Sequence, residues 1–472
     1  MVSILLATIF CFNWSTDWRD YMTNTPDLEI DEKHFSALIN LLSELVGKRS
    51  VSLDGPNTDG MVACRDLLVT TLEDLGATAS LLAVQDGPDA IYAEFNDYDD
   101  DGPTVLLYSH YDVQPVGDIS NWTFDPFDSV IEEGRMFGRG ASDDKSGIIT
   151  HLGALQLLLS NTANLPCRVK ILIEGEEELG SPHISDFLAR YTELLRADAI
   201  IVADATHWDL DEPAITTSLR GVVDCEVHVK TLDLGRHSGE YGGVIPDALM
   251  VLARIIGSLH NEDGSVAVQN LDSSQTCEIQ VEEDDLLTQA GAVPTLRLIG
   301  VGDVASRIWT QPAISVLAID APNIGDAVNL IVPKAAAKIS MRIPPGQDPV
   351  SAMQALKSHI LEVIPWGAQV EIVEGALSAP YKSRDSGKLM EALQEAIQIV
   401  WDKPSREIGL GGSIPLVAEI ANFFPEMEIV ITGVGEPTSR IHGPDESQDL
   451  LELRRNMLAE AQALKIFSQR WA

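Results

Sequence analysis

Three short and almost wholly apolar runs constrain the fold of this chain most. They are TVLLYSH, VKILIEG and DAIIVAD. Near-continuous apolar runs of this length are typical of strands that are buried on both faces of a sheet. A helical pattern over about residues 143–160 separates the first two runs. A strand–helix–strand order at this spacing predicts an α/β sheet with right-handed crossovers.

The pattern changes near residue 216. CEVHVK alternates, with Cys225, Val227 and Val229 on one face, which predicts a half-exposed strand and places His228 in solvent. A helix, two strands, another helix and a last strand follow, up to about residue 375. This order predicts an inserted α+β, ferredoxin-like domain over 216–375. The main domain is then split into a first segment, 1–215, and a second segment, 376–472.

Composition narrows the possible partners. The chain has 72 acidic and 32 basic residues, a formal net charge of -40. Because this charge repels nucleic acids and anionic lipids, we expect no nucleic-acid partner and no membrane partner. The cysteines are odd in number and contain no CxxC pair, which argues against a disulfide framework or a thiolate metal site and favours a reducing cytoplasm.

The start of the sequence, MVSILLATIFCFNW, is apolar but lacks the basic start and small-residue cleavage site of a signal peptide. We interpret residues 1–21 as the product of a mis-chosen start, with Met22 as the alternative start. A weak signal sequence is the other interpretation.

Polar side chains follow the predicted strands. Because the carboxyl ends of parallel strands meet at one edge of a sheet, we expect these side chains to converge there. They are His110 and Asp112 after TVLLY, the carboxylates of EGEEELGS after VKILI, Asp204 after DAIIVA, His442 beyond EIVITG, and Asp143 and Asp144 behind the glycine-rich turn of GRGASDDKSG.

Taken singly, each of these residues has an ordinary explanation. Asp143 is a reasonable helix N-cap, Asp204 a turn residue and His442 a loop histidine. Together, two imidazoles and several carboxylates at one edge predict a metal site. A set of imidazole and carboxylate ligands without thiolate suits zinc, with manganese or cobalt as alternatives.

The crowding of carboxylates in EGEEELGS supports the same prediction. Adjacent carboxylates raise one another's pKa, so their proximity is costly unless a cation lies between or beside them. The pattern therefore predicts that one glutamate binds a metal ion and that its neighbour works as a base.

Six motifs occur in order between about Phe35 and the C-terminus: SHYDVQP, GRGASDDKSG, EGEEELGS, RHSGEYGG, GGSIP and HGPDE. This set resembles the M20 family of dinuclear zinc peptidases, and HYDVQP and GRGASDDK are most similar to its dipeptidase branch of carnosinase and Cys-Gly dipeptidase relatives. The resemblance implies a catalytic domain with a mixed central sheet flanked by helices. It also implies that the inserted domain is a lid and dimerisation domain.

The resemblance implies an activity as well. A homodimer with two zinc ions per subunit would hydrolyse short peptides that have a free C-terminal carboxylate. The alternative is an N-acyl amino acid amidohydrolase, similar to succinyl-diaminopimelate desuccinylase or aminoacylase. A non-catalytic homologue would be expected to have lost metal ligands, and this sequence has lost none.

The roles that the resemblance implies for individual residues are these. His110 and Asp204 would bind one zinc ion, Glu178 and His442 the other, and Asp143 would bridge both. Glu177 would be the general base, Glu176 a bystander, and Asp112 the acceptor of the second ring N–H of His110. His237 would reach the oxyanion from the partner subunit's lid, Arg342 would bind the substrate carboxylate, and Ser413 would line the same substrate pocket. The peptide bond between Asp143 and Asp144 would be cis. One departure is Leu330, which stands where dipeptidases often have a substrate-binding threonine.

Overall fold

The computed structural model describes residues 28–95, 102–161, 164–277, 279–384 and 386–471. The interpretation of residues 1–21 and of Met22 lies outside this part of the chain. The helices are α1 Glu32–Val46, α2 Asp59–Asp74, α3 Lys145–Asn161, α4 Ile184–Leu195, α5 Ser238–Tyr241, α6 Ala248–Gly257, α7 Glu283–Gln289, α8 Val304–Trp309, α9 Pro349–Glu362, α10 Lys388–Trp401, α11 Pro415–Phe423 and α12 Leu450–Trp471. The strands are β1 Thr78–Leu82, β2 Ala90–Glu94, β3 Thr104–His110, β4 Val130–Glu132, β5 Arg135–Phe137, β6 Arg168–Glu174, β7 Ala199–Thr206, β8 Ala214–Leu219, β9 Gly221–Lys230, β10 Arg236–His237, β11 Ala313–Asp320, β12 Leu330–Ile331, β13 Lys334–Ile343, β14 Gln369–Ser378, β15 Tyr381–Lys382, β16 Arg406–Leu410, β17 Glu428–Gly435 and β18 Ser447–Asp449.

The main sheet has nine strands in the order β1-β2-β6-β3-β7-β17-β8-β15, with β16 paired to β8. Its four central strands, β6, β3, β7 and β17, run parallel. The strands β1, β2 and β15 pair antiparallel with their neighbours, so the sheet is mixed. The α/β fold with a mixed central sheet is therefore confirmed.

Helices cover both faces of this sheet. Along β3, Val105 and Leu107 lie in one hydrophobic core, and Leu106 and Tyr108 lie in the other. The first core is closed by α1, α2, α3, α10 and α12, and the second by α4 and α11. Burial on both faces explains why the three central runs are almost wholly apolar in sequence.

The smaller sheet is antiparallel, with the order β11-β13-β9-β14. The helices α6 and α9 pack on one face, and the opposite face of β9 is open, so that His228 is exposed as predicted. The element order β9, α6, β11, β13, α9, β14 is the β-α-β-β-α-β order expected from the sequence.

The chain leaves the main sheet after Leu219 and returns to it at Tyr381, and the domain bounds 216 and 375 stay a prediction. The predicted boundary at 215/216 falls inside β8, which pairs with β16 and β17 of the main sheet as far as Leu219. The predicted end at residue 375 falls inside β14, at a register shift between Glu374 and Leu377, after which pairing with β9 resumes.

Among the helices of the described residues, none combines the length and the apolar character that crossing a bilayer requires.

Candidate metal centre

The carboxyl edge of the main sheet gathers the predicted ligands. His110 is the last residue of β3, and Asp204 lies in β7, which runs on to Thr206. Glu178 lies in a short 3₁₀ turn directly after β6, and His442 lies in the loop after β17. Asp143 lies just before α3, and its peptide bond to Asp144 is cis, as expected.

Five side chains form two groups that share Asp143. The inner centre consists of His110, Asp143 and Asp204, and the outer centre of Asp143, Glu178 and His442. In each group the candidate ligand atoms all lie within 4.8 Å of one another. His110 Nε2 lies 3.0 Å from Asp143 Oδ1, and His442 Nε2 lies 3.0 Å from Asp143 Oδ2. The two carboxylate oxygens of Asp143 thus face different histidines, as a bridging ligand requires.

The two centres differ in their exposure to solvent. The His110 side chain is fully buried, and Asp204 is 12% exposed. The Glu178 side chain is 5% exposed, but that of His442 is 53% exposed. The inner centre is therefore enclosed by protein, whereas the outer centre opens to solvent on the side of His442.

The charges of the cluster favour a cation. Burial raises the pKa of Asp204 to about 6, although the neighbouring imidazole of His110, whose Nε2 lies 3.7 Å from Asp204 Oδ1, acts in the opposite sense. Burial and the charge of Asp143 raise the pKa of Glu178. Hydrogen bonds to Asp143 and Glu178 raise the pKa of His442 to about 11. A cluster that draws protons this strongly carries excess negative charge, and its nitrogen and oxygen donors are those that zinc and similar divalent ions accept.

Glu177 stands beside the cluster without belonging to either group of ligands. Burial and then the charge of Asp204 raise its pKa well above the ordinary value for glutamate. A carboxylate with a raised pKa next to a metal-ligand cluster is a suitable proton acceptor.

Asp112 is fully buried and supports both His110 and the glutamate turn. The ring Nδ1 of His110 lies 3.0 Å from the main-chain carbonyl of Asp112 and 3.4 Å from its carboxylate Oδ1. The nearer acceptor is thus the carbonyl and not the expected carboxylate. The carboxylate accepts hydrogen bonds from the main-chain N–H groups of Glu177 and Glu178, at 3.2 and 3.1 Å. These two N–H groups need an acceptor outside the turn, because the first N–H groups of a helical turn have no partner within it.

Two more buried residues hold the outer loops together. Glu446 Oε1 accepts hydrogen bonds from the main-chain N–H groups of Ser142 and Asp143, both at 3.0 Å. Arg139 donates to Glu446 Oε2 and to the main-chain carbonyl of His442. Sequence reasoning missed this pair, although both residues lie within or beside the quoted motifs GRGASDDKSG and HGPDE.

Glu176 has a structural role. It is 3% exposed, and its carboxylate accepts hydrogen bonds from the main-chain N–H and the ring Nδ1 of His183, just before α4. The Glu176 side chain is thus hydrogen-bonded to the residue before a helix and is not directed at the candidate ligands.

The two residues predicted to bind substrate are in contact. Arg342, on β13, donates from Nη1 to Ser413 Oγ at 3.2 Å. A second guanidinium, that of Arg220, is buried nearby and donates from Nε to the carbonyl of Gly411 in the same loop. Burial and the charge of Arg342 lower the pKa of Arg220 to about 10. Two adjacent guanidinium groups make this a region of positive potential in a strongly acidic chain.

His237 lies on the smaller domain, apart from the five candidate metal ligands. It is exposed on β10, opposite Leu330 of β12. Its Nδ1 accepts a hydrogen bond from the main-chain N–H of Gly239 at 2.9 Å. Among the described residues, no hydrogen bond joins His237 to the five candidate ligands.

Comparisons with known proteins agree with this geometry. The family described as Peptidase family M20/M25/M40 matches residues 106–465. A cysteinylglycine-S-conjugate dipeptidase of Corynebacterium striatum is 31% identical over 433 residues, which cover 91% of this chain and 95% of that protein. Human carnosine dipeptidase 1 has a similar structure, with a TM-score of 0.80 and 21% identity over 93% of this chain and 97% of that one. An M20 family metallo-carboxypeptidase from Sulfolobus solfataricus reaches a TM-score of 0.82, with 26% identity over 93% of this chain and 100% of that one.

Proposed function

The chain belongs to peptidase family M20/M25/M40 and is a metallohydrolase, and on that premise we propose that it is a zinc-dependent dipeptidase. Its substrates are short peptides with a free C-terminal carboxylate. The observation that carries this proposal is the convergence of five imidazole and carboxylate ligands around a shared Asp143, with Glu177 free beside them. The relatives named as dipeptidases support the choice of substrate class.

Two zinc ions fit the two groups of donors. His110 and Asp204 would hold the ion of the inner centre, Glu178 and His442 would hold the ion of the outer centre, and Asp143 would serve both. When bound, such a pair of ions polarises the scissile carbonyl and lowers the pKa of a water molecule. Manganese and cobalt accept the same donors and are the alternative metals.

Glu177 is the general base of the proposed reaction. It accepts a proton from the attacking water and passes it to the departing amine. Burial and the neighbouring carboxylates make the Glu177 carboxylate more basic than that of an exposed glutamate. Asp112 keeps the base in place, because its carboxylate accepts the main-chain N–H groups of the turn that carries Glu177.

Arg342 and Ser413 recognise the substrate carboxylate. The planar fork of a guanidinium matches a carboxylate in a bidentate manner, which a lysine cannot reproduce. Among the described residues Arg342 forms no ion pair with an acidic side chain, so its charge remains available for a ligand. This contact selects peptides with a free C-terminus.

His237 donates a hydrogen bond to the oxyanion in the second copy of a homodimer. Since its Nδ1 accepts the N–H of Gly239, the proton of the neutral ring lies on Nε2, which is then a donor. His237 is exposed and so can face another molecule. The edge strand β11 exposes Val316, Leu317 and Ile319, and an apolar edge strand of this kind favours self-association.

We place the enzyme in a reducing cytoplasm. Four cysteines of the described residues, Cys64, Cys167, Cys225 and Cys277, are free thiols, and the first three are buried. Unpaired buried thiols are typical of proteins from reducing compartments.

A substrate panel with zinc-loaded enzyme tests this proposal. It compares dipeptides, the same dipeptides with an amidated C-terminus, and N-acyl amino acids. We expect the free dipeptides to be hydrolysed fastest and the amides to be poor substrates, because the amides lack the charge that Arg342 binds. Faster turnover of N-acyl amino acids throughout the panel would instead identify an N-acyl amino acid amidohydrolase.

A further inference from the structure

We propose that Gln114 is a positioning residue that fixes Glu178 and thereby sets the metal affinity of the outer centre alone. Gln114 belongs to the motif HYDVQP, and the proposed reaction gives it no role. This inference rests on the proposed function, because it requires that the two centres bind metal ions.

Gln114 makes three hydrogen bonds to Glu178. Its main-chain N–H donates to Glu178 Oε1 at 3.0 Å. Its side-chain amide donates to Glu178 Oε2 at 2.8 Å and to the main-chain carbonyl of Glu178 at 3.2 Å. Both carboxylate oxygens of this one ligand are therefore oriented by the same residue.

The other ligands do not depend on Gln114. His110 is held by Asp112. The main chain of Asp143 is held by Glu446, and that of His442 by Arg139. Among the described residues, Gln114 forms no hydrogen bond with His110, Asp143 or Asp204. The inner centre is thus supported independently.

Glu178 needs this support because of where it lies. It occupies a short 3₁₀ turn, and the next residues, Leu179 and Gly180, are exposed. The adjacent His442 side chain is also half exposed. Without the amide of Gln114, the Glu178 side chain can rotate away from His442 towards solvent, and the outer centre then loses its orientation. Loss of a residue that orients a metal ligand typically costs about 10–100-fold in metal affinity.

Two backgrounds isolate the centres for the test. Asp204→Asn removes a ligand of the inner centre only, and His442→Ala removes a ligand of the outer centre only. Gln114→Met, which keeps the length of the side chain but removes its amide donor, is introduced into each background. Zinc affinity is then measured by competition with a chromophoric chelator, a readout that does not involve catalysis.

We expect Gln114→Met to weaken zinc binding about 10–100-fold in the Asp204→Asn background and to leave it unchanged in the His442→Ala background. An equal loss in both backgrounds, or no loss in the first, would overturn the proposal. Gln394→Met is the matched control, because Gln394 donates to the carboxylate of Glu407 at 3.1 Å at an exposed site on α10. It should change neither affinity.

A second variant guards against misfolding. Gln114 is only partly buried, so its replacement leaves the core intact. Gln114→Asn keeps a polar amide that is too short to reach Glu178, and it should give a loss in the same direction, with an unfolding midpoint like that of the parent. If the unsubstituted chain bound no zinc, the proposed function itself would fail. If zinc binding were normal and insensitive to Gln114, only this inference would fail.

Discussion

The metal-ligand cluster and the outer surface of the smaller domain are built in opposite ways. At the carboxyl edge of the main sheet, His110, Asp143 and Glu178 are each held by a further buried or partly buried residue. His237 on the smaller domain is exposed, and its ring accepts one hydrogen bond, from a main-chain group two residues away. In the proposed function, the first region supplies the groups that activate water within one chain. The second region is proposed to supply a hydrogen-bond donor to another molecule.

The largest effect should come from the base beside the cluster. Glu177→Gln removes the proton acceptor, and we expect kcat to fall by about 10²–10⁴-fold with zinc content unchanged. Steady-state kinetics together with metal analysis of the same sample check this. Retained activity would remove Glu177 from its role, and loss of zinc would place it among the ligands.

The corresponding change in the exposed region is His237→Ala. Loss of one oxyanion donor costs about 10²–10³-fold in kcat. Because the proposed donor acts on the partner subunit's site, mixing inactive His237→Ala protein with inactive Glu177→Gln protein should restore part of the activity. In the mixed dimer, one site has both an intact base and an intact histidine.

Subunit exchange is verified first, with two differently tagged preparations of the unsubstituted protein. Mixtures that remain inactive after exchange has been shown would contradict the shared site. The exposure of His237 would then need an explanation other than a role in the partner subunit's site.

The proposed substrate-binding pair lies where the main and smaller domains meet, since Arg342 is on β13 and Ser413 precedes α11. Arg342→Lys keeps the charge but loses the bidentate fork. We expect kcat/KM for dipeptides to fall about 10–100-fold, mostly through KM, because hydrogen bonds to charged groups contribute about 1.5–3 kcal/mol. Hydrolysis of dipeptide amides should hardly change. An equal loss for the amides would show that Arg342 does not recognise the carboxylate.

The smallest effect concerns stability. It compares a buried glutamate at the carboxyl edge of the main sheet with an exposed glutamate beside His237. Burial raises the pKa of Glu174 to about 7, although the hydrogen bond that Tyr108 donates to Glu174 Oε2 acts in the opposite sense. With a folded pKa above the unfolded value, the stabilisation from the bound proton is full below about pH 4.5 and is lost as the pH rises through about 7. Glu174→Gln mimics the protonated form, so its free energy of unfolding should rise relative to the parent by about 1–3 kcal/mol between pH 5 and pH 8.

Denaturant unfolding of the zinc-free protein at several pH values measures this difference. Glu240→Gln, on the exposed surface beside His237, is the control and should show no such trend. If the difference in free energy of unfolding between Glu174→Gln and the parent did not change with pH, ionisation of Glu174 would not destabilise the folded protein.

The sequence was sufficient to predict the central strands and the convergence of the five candidate ligands. A buried parallel strand must be apolar on both faces, so the polar residues at its carboxyl end stand out, as His110 does after TVLLYS. The shared edge of the sheet then brings these residues together whatever the connecting loops do.

Apart from Asp112, the residues that support the candidate ligands could not be found in this way. Arg139 and Glu446 are 307 positions apart, and Gln114 and Glu178 are 64 apart. Each pair depends on how two loops fold against each other, and loop conformation leaves no periodic pattern in the sequence.

Metal content tests the central claim, that one aspartate joins two metal centres, most directly. Purified protein reconstituted with zinc and dialysed should contain about two zinc ions per chain. His442→Ala should reduce this to one, and Asp143→Ala should leave almost none. A parent protein that holds no zinc, or an Asp143→Ala variant that still holds two ions, would contradict the account.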